Sequence, residues 1–305
     1  MSSALSGIKI AVLGGDARDL VLAEQLIRMG AVVVTVGLPR TRTGRAVMLE
    51  RVEDACREAE VLILPMAGTT EQGVIRTVHS DRELIISEAA LAAAAPDALL
   101  ITGSARPFLR EMAQRHGLHV LEIAGMDEVA ILNAIPTAEG AVQLAMEQCD
   151  ITIHSSHCAV LGGGRVGQTL ARTLRGLEAQ VTVVSREAAE RARAVALGGT
   201  GCGFDRLPEL MRTVDIVFNT VPSPVLERTV LKYANPEVLI IDLASHPGGV
   251  DFAAASEFGL KALTALSLPG KVAPLSAGRI LANIVPRLII EQMRGDISYY
   301  SHDNK

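Results

Sequence analysis

The run Cys158-Ala-Val-Leu-Gly-Gly-Gly-Arg-Val-Gly167 follows an apolar strand pattern and opens a helical pattern at 165–177. Its Gly162-x-Gly164-x-x-Gly167 spacing permits a tight turn, close backbone approach to a pyrophosphate and tight helix–strand contact. Arg165 and Val166 begin the helix, where backbone N–H groups and the positive dipole end favour phosphate. The next apolar strand, 181–184, ends in Ser185 and Arg186. NAD-binding folds place an acid there, about 20 residues past the glycines, to hold the ribose 2′-hydroxyl. A hydroxyl and a guanidinium suit a 2′-phosphate instead, so the expected cofactor is NADP in preference to NAD. The alternative for Arg186 is a solvated residue in the first turn of the following helix. Thr220, Val221, Pro222 and Ala244 end later strands and are expected to wall the nicotinamide, although turn chemistry alone also accounts for them.

A second set of residues follows the strands of the first half. Arg18, Thr69, Thr70, Ser104 and Arg106 combine hydroxyl donors with guanidinium forks, which suits a substrate carrying two carboxylates. Each arginine could equally be a surface residue of its helix. For acid–base work the candidates are His246, beside a Pro-Gly-Gly turn, and Asp127, Glu128 and Glu139 around a hinge. Lys271 faces either a cleft or solvent. No catalytic residue is assigned among them, and no Ser/His/Asp signature stands out. The four cysteines, Cys56, Cys149, Cys158 and Cys202, form no CxxC pair, so neither disulfides nor a metal site is expected.

Short apolar runs at 8–13, 31–36, 61–64, 98–101, 158–161, 181–184, 216–218 and 238–241 lack period-two alternation, the pattern of parallel strands covered on both faces. Helical patterns alternate with them, as at 16–29 and 165–177, so the fold class is α/β. Residues 8–18 echo the central glycine unit, with Asp16 as N-cap but without the third glycine, and are expected to hold no dinucleotide. Two such units imply two facing Rossmann-like parallel-sheet domains joined by long helices. The expected N-terminal substrate and partner domain is 1–130 plus 277–300, and the NADP-binding domain is 131–276. Helices at 127–134 and 137–148 are expected on either side of a break at Pro136. Ile280, Leu281, Ile284, Val285, Leu288, Ile289 and Met293 make one stripe of a C-terminal helix that returns to the first domain, kinked at Pro286. Residues 298–305 are polar and expected to fray.

With 305 residues the chain has room for two cores, and 49% hydrophobic residues favour a globular protein. A net charge of −5 argues against nucleic acid. The N-terminus carries no signal-peptide pattern and the apolar stretch 89–105 is broken by Pro96 and Asp97, so a soluble cytoplasmic protein is expected, with no membrane partner.

The segments 14–18, 133–140, 160–167, 242–249 and 268–274, taken in order, resemble the A-subunit family of dipicolinate synthase from spore-forming bacteria. The resemblance covers nearly the whole chain. It implies formation of dipicolinate during sporulation from dihydrodipicolinate or its 4-hydroxy-tetrahydro precursor. It also implies a partner, the flavoprotein-like B-subunit of dipicolinate synthase, in a homo- or hetero-oligomer. It does not supply the general base. Two other functions remain compatible with the residues: another NADP-dependent amino- or hydroxy-acid dehydrogenase, and an NADP-binding protein without catalysis of its own.

Overall fold

The computed structural model describes residues 4–295 and divides into two compact units. One gathers the described residues up to Val129 with those from Pro274 onward; the other is Ala130–Ala273. The expected fraying at 298–305 lies outside the described residues, as does the end of the segment 277–300.

The strands of the first unit are β1 (Lys9–Leu13), β2 (Val32–Val36), β3 (Val47–Leu49), β4 (Val61–Ile63), the short pair β5 (Val74–Ile75) and β6 (Leu84–Ile85), β7 (Leu99–Thr102) and β8 (His119–Glu122). Those of the second are β9 (His157–Leu161), β10 (Gln180–Val184), β11 (Thr200–Cys202), β12 (Ile216–Asn219), β13 (Leu239–Asp242) and β14 (Lys261–Thr264). The two main sheets are both six-stranded and parallel, ordered β3-β2-β1-β4-β7-β8 and β11-β10-β9-β12-β13-β14. Each reverses its direction of build beside its first strand, the switch point where ligands of doubly wound folds bind.

Helices cover both faces of each sheet, so successive residues of a strand enter different cores. In β1, Ile10 and Val12 join one cluster while Ala11 and Leu13 join the other; β9 divides Cys158 and Val160 from Ala159 and Leu161. This is why the runs show no alternation. All eight expected strands are present. The edge strands β8, β11 and β14 are partly exposed and mixed in composition, and β3 is apolar but only three residues long, so none is expected from the sequence.

In the first unit, α1 (Ala17–Arg28) is followed by the short α2 (Val52–Cys56) and α3 (Glu88–Ala92) and by α4 (Pro107–Arg115). The next helix corrects the sequence expectation. Pro136 does not break it, and α5 is continuous over Asp127–Gln148. Proline removes one ladder N–H, the donor to the carbonyl of Leu132, while the turn is otherwise kept and the Thr137 hydroxyl adds a bond to the carbonyl of Asn133 at 2.8 Å. Burial fixes the helix at both ends: Val129 enters a core of the first unit, and Ala138, Ala141 and Ala145 one of the second. By length and hydropathy α5 could also cross a bilayer, but a core helix meets the same criterion.

The second unit continues with α6 (Arg165–Gly176), α7 (Ala188–Ala196), α8 (Leu207–Leu210), α9 (Arg228–Leu231), α10 (Phe252–Glu257) and α11 (Leu268–Val272). The last helix, α12 (Pro274–Arg294), returns to the first unit and runs through the buried Pro286. Leu281, Ile284, Val285, Leu288 and Ile289 are buried as the stripe requires, whereas Met293 is exposed and lies off it. Gly278 brings α12 onto α1: a Cβ there would lie 2.8 Å from Cβ of Val21 and 3.0 Å from Cα of Arg18.

Candidate functional site

The β9–α6 turn has the geometry of a phosphate cradle. Gly162 has φ +92°, and a Cβ there would lie 2.5 Å from Oγ1 of Thr220. A Cβ on Gly167 would lie 2.0 Å from the carbonyl oxygen of Gly162, so only glycine lets α6 start this close to the strand. Gly164 is different. It is the N-cap of α6, makes no side-chain cap, and a Cβ there meets nothing within 4 Å. The three glycines therefore divide into two that permit packing and one that keeps the helix N-terminus approachable. This arrangement fits a dinucleotide pyrophosphate.

Thr220 secures the turn from β12, its hydroxyl donating to the carbonyl of Leu161 at 2.7 Å. Val221 also lies against Gly162, and Pro222 is exposed beside it. Asn219 and Asp242, which sequence reasoning misses, hold the strand ends behind these residues. Both are buried, and the Asn219 amide donates to Oδ1 of Asp242 at 2.8 Å. The same carboxylate accepts from the N–H groups of Ala244 and Gly249, each at 3.1 Å. Thus Asp242 fixes both ends of the loop carrying Ala244 and His246. A signal is present: two wholly apolar strand runs each end on a side chain with amide or carboxylate chemistry.

At the end of β10, Ser185 is buried and Arg186 exposed. The Ser185 hydroxyl donates to Oε2 of Glu190 at 2.6 Å and accepts from the N–H of Glu187 at 3.0 Å. Sequence reasoning looks for an acid at the strand end and so misses Glu190, which comes from the first turn of α7.

In the first unit the β1–α1 turn is tightly closed on itself. Asp16 caps α1, and the Arg18 guanidinium holds its carboxylate through Nε at 2.9 Å and Nη2 at 2.8 Å. Arg18 is buried and already paired. Asp19 completes a capping box by accepting from the Asp16 N–H at 2.9 Å. Burial pushes its carboxyl up to about 6. Thr69 is buried, with no hydrogen-bond partner for Oγ1 among the described residues. Thr70 accepts from the N–H groups of Gln72 and Val74 and shapes a turn.

Arg106 is exposed and meets Glu71 at 3.4 Å. Beside it, Glu122 accepts from the N–H of Ala105 at 2.9 Å, from Nε of Arg110 at 2.7 Å and from the Ser104 hydroxyl at 3.4 Å. Burial raises the Glu122 carboxyl, but these bonds outweigh it and the net effect is a lowered value. His246, Glu139, Asp127 and Lys271 are all exposed, and Glu128 pairs with Arg287. No group of three or more His, Cys, Asp or Glu side chains that could hold a metal occurs among the described residues. Burial raises the thiols of Cys56 to about 12 and Cys158 to about 11, which keeps both protonated.

Residues 9–124 match the N-terminal domain of the dipicolinate synthase A-subunit, and residues 137–244 match the D-isomer specific 2-hydroxyacid dehydrogenase NAD binding domain. The dipicolinate synthase A-subunit of Bacillus subtilis is 40% identical over 289 residues, covering 94% of this chain and 97% of its own. The chain belongs to the A-subunit family of dipicolinate synthase. The crystal structure of the dipicolinate synthase A chain from Bacillus subtilis superposes with a TM-score of 0.87 at 39% identity, over 97% of this chain and 100% of that one. The corresponding structure from Bacillus halodurans gives 0.89 at 33% identity, over 93% and 98%. The family and the dehydrogenase domain together make the chain an oxidoreductase that uses a nicotinamide dinucleotide.

Proposed function

We propose that the chain oxidises dihydrodipicolinate, or its 4-hydroxy-tetrahydro precursor, to dipicolinate during sporulation. It works in the cytoplasm, with NADP as preferred acceptor, NAD as second, and the flavoprotein-like B-subunit of dipicolinate synthase as partner. The observation that carries this reading is the near-full-length similarity to the dipicolinate synthase A-subunit of Bacillus subtilis, joined to a glycine cradle whose middle position is open.

When bound, the nicotinamide supplies a two-electron acceptor for hydride. The chain's own residues orient and anchor. Gly164, Arg165 and Val166 offer the start of α6 to the pyrophosphate; Gly162 and Gly167 permit the packing that puts it there. Thr220, Val221, Pro222 and Ala244 wall the nicotinamide end, held in place by Asn219 and Asp242. Arg186, exposed beside Ser185 at the end of β10, favours the 2′-phosphate, which supports NADP.

In the first unit Arg106 is the exposed guanidinium for a substrate carboxylate. Thr69, whose buried hydroxyl has no partner among the described residues, and Ser104 and Thr70 contribute donors nearby in sequence. Arg18 acts through Asp16, or exchanges that carboxylate for the substrate's. A ring proton leaves with the hydride, to water or to one of His246, Glu139 and Asp127; the 4-hydroxy form loses water as well. Aromatisation makes the oxidation favourable, so positioning is the main demand on the protein.

Purified chain assayed with the freshly formed ring substrate and NADP tests this. The expected result is an aromatic ultraviolet chromophore appearing with NADPH, alone or on addition of the B-subunit. Dinucleotide binding without chromophore under both conditions, with turnover of a simple hydroxy or amino acid instead, overturns it.

A further inference from the structure

We propose that Glu190 is a specificity-determining residue for the cofactor, a carboxylate that discriminates against a 2′-phosphate and holds open the use of NAD. The inference rests on the dinucleotide reading of the β9–α6 turn and goes beyond it. Glu190 occupies the first turn of α7 and reaches back across the end of β10. Its Oε2 accepts from the Gly163 N–H at 3.0 Å and from the Ser185 hydroxyl at 2.6 Å.

Gly163 explains why this is a built contact. The glycine fingerprint asks for glycine at 162, 164 and 167 and leaves 163 free. Yet a Cβ on Gly163 would lie 2.5 Å from Cβ of Glu190 and 2.7 Å from Oε2. The contact with Glu190 is enough to require glycine at 163.

The consequence is electrostatic. The Ser185 hydroxyl has one proton, and Glu190 takes it. Arg191 is tied to the same strand end, its Nη1 donating to the carbonyls of Ser185 and Arg186 at 2.8 and 2.6 Å. Of the groups the sequence marks for a 2′-phosphate, only Arg186 retains an exposed charge. A phosphate approaching the end of β10 meets a carboxylate first, whereas a ribose hydroxyl meets an acceptor. Arg186 and Glu190 therefore pull the NADP/NAD ratio in opposite directions. In the usual arrangement the acid stands on the strand end and excludes NADP. Here it stands on the next helix and reaches back to the strand end.

Equilibrium binding of NADP and of NAD to the purified full chain, by titration calorimetry, tests this. Glu190→Gln keeps the length and the acceptor oxygen but removes the charge. It should tighten NADP about tenfold while NAD changes less than about threefold, a ratio change worth about 1.4 kcal/mol. Glu190→Ala should shift the ratio in the same direction, and Arg186→Asp in the opposite one. Circular dichroism checks each fold. An unchanged NADP/NAD ratio in both folded Glu190 variants overturns the inference while leaving the dinucleotide reading intact. Failure of the unaltered chain to bind either dinucleotide overturns that reading, and this inference falls with it.

Discussion

Asp19 gives a sharp numerical test of how the first unit's glycine turn is built. Its carboxyl is wholly buried at the start of α1, and desolvation lifts it from 3.8 to about 6, with the neighbouring Asp16 charge adding and Arg18 and the Asp16 N–H opposing. A raised carboxyl pKa means that the fold prefers the protonated form. The stabilisation is thus complete below the unfolded value and is lost as pH rises through about 6. Two pH units at about 1.4 kcal/mol each make the ionised carboxyl cost about 3 kcal/mol at neutral pH. Asp19→Asn removes the charge and retains an oxygen to accept the Asp16 N–H. Relative to the unaltered chain, the variant should gain about 2 kcal/mol in unfolding free energy between about pH 4.5 and 7.5. Urea denaturation of both proteins at each pH, followed by a probe in the first unit, reads the difference, and carbon NMR of the Asp19 carboxyl reads its titration directly. A gap that does not widen with pH, or a carboxyl titrating near its ordinary value, refutes the reasoning.

The glycines of the β9–α6 turn should separate by role. Gly164→Ala, with open space around its Cβ, should leave the melting temperature within a few degrees and weaken dinucleotide binding at least tenfold; Gly167→Ala should do both harms, costing about 1–3 kcal/mol of stability. Thermal melts and calorimetric titration of the two variants check this. The arginines of the first unit should also part. Arg106→Ala should raise KM for the dicarboxylate about tenfold with the melting temperature unchanged, since its present partner is an exposed Glu71. Arg18→Ala should lower the melting temperature, because it leaves the partly buried Asp16 carboxylate without its cation. Steady-state kinetics and melts on the same preparations separate the two.

Much of the architecture is legible in the sequence because buried parallel strands have little freedom in composition. The eight runs are almost wholly apolar, and their spacing with helical patterns leaves few alternatives to buried parallel strands. The edge strand β14 is not legible because its exposed positions make its composition mixed, and β3 because it is only three residues long. Pro136 misleads for a related reason. Local propensity opposes proline in a helix, but two apolar cores grip α5 on either side of it, and tertiary burial outweighs one missing hydrogen bond.

The site divides along the same line. Gly162, Gly164 and Gly167 are readable since the constraint lies in the backbone and falls within six consecutive residues. The sequence by itself also determined the doubly wound class, the cap at Asp16 and the returning helix α12, all of which rest on local pattern. Only the tertiary structure decided what the polar side chains do. It buried Thr69 with no hydrogen-bond partner for its hydroxyl among the described residues, joined Asn219 to Asp242 across two strands, and set Glu190 on Gly163. Side-chain partnership depends on which strand ends lie side by side, and that adjacency is created by the sheet order, in which β9 lies between β10 and β12 although β10 and β12 are far apart in the chain.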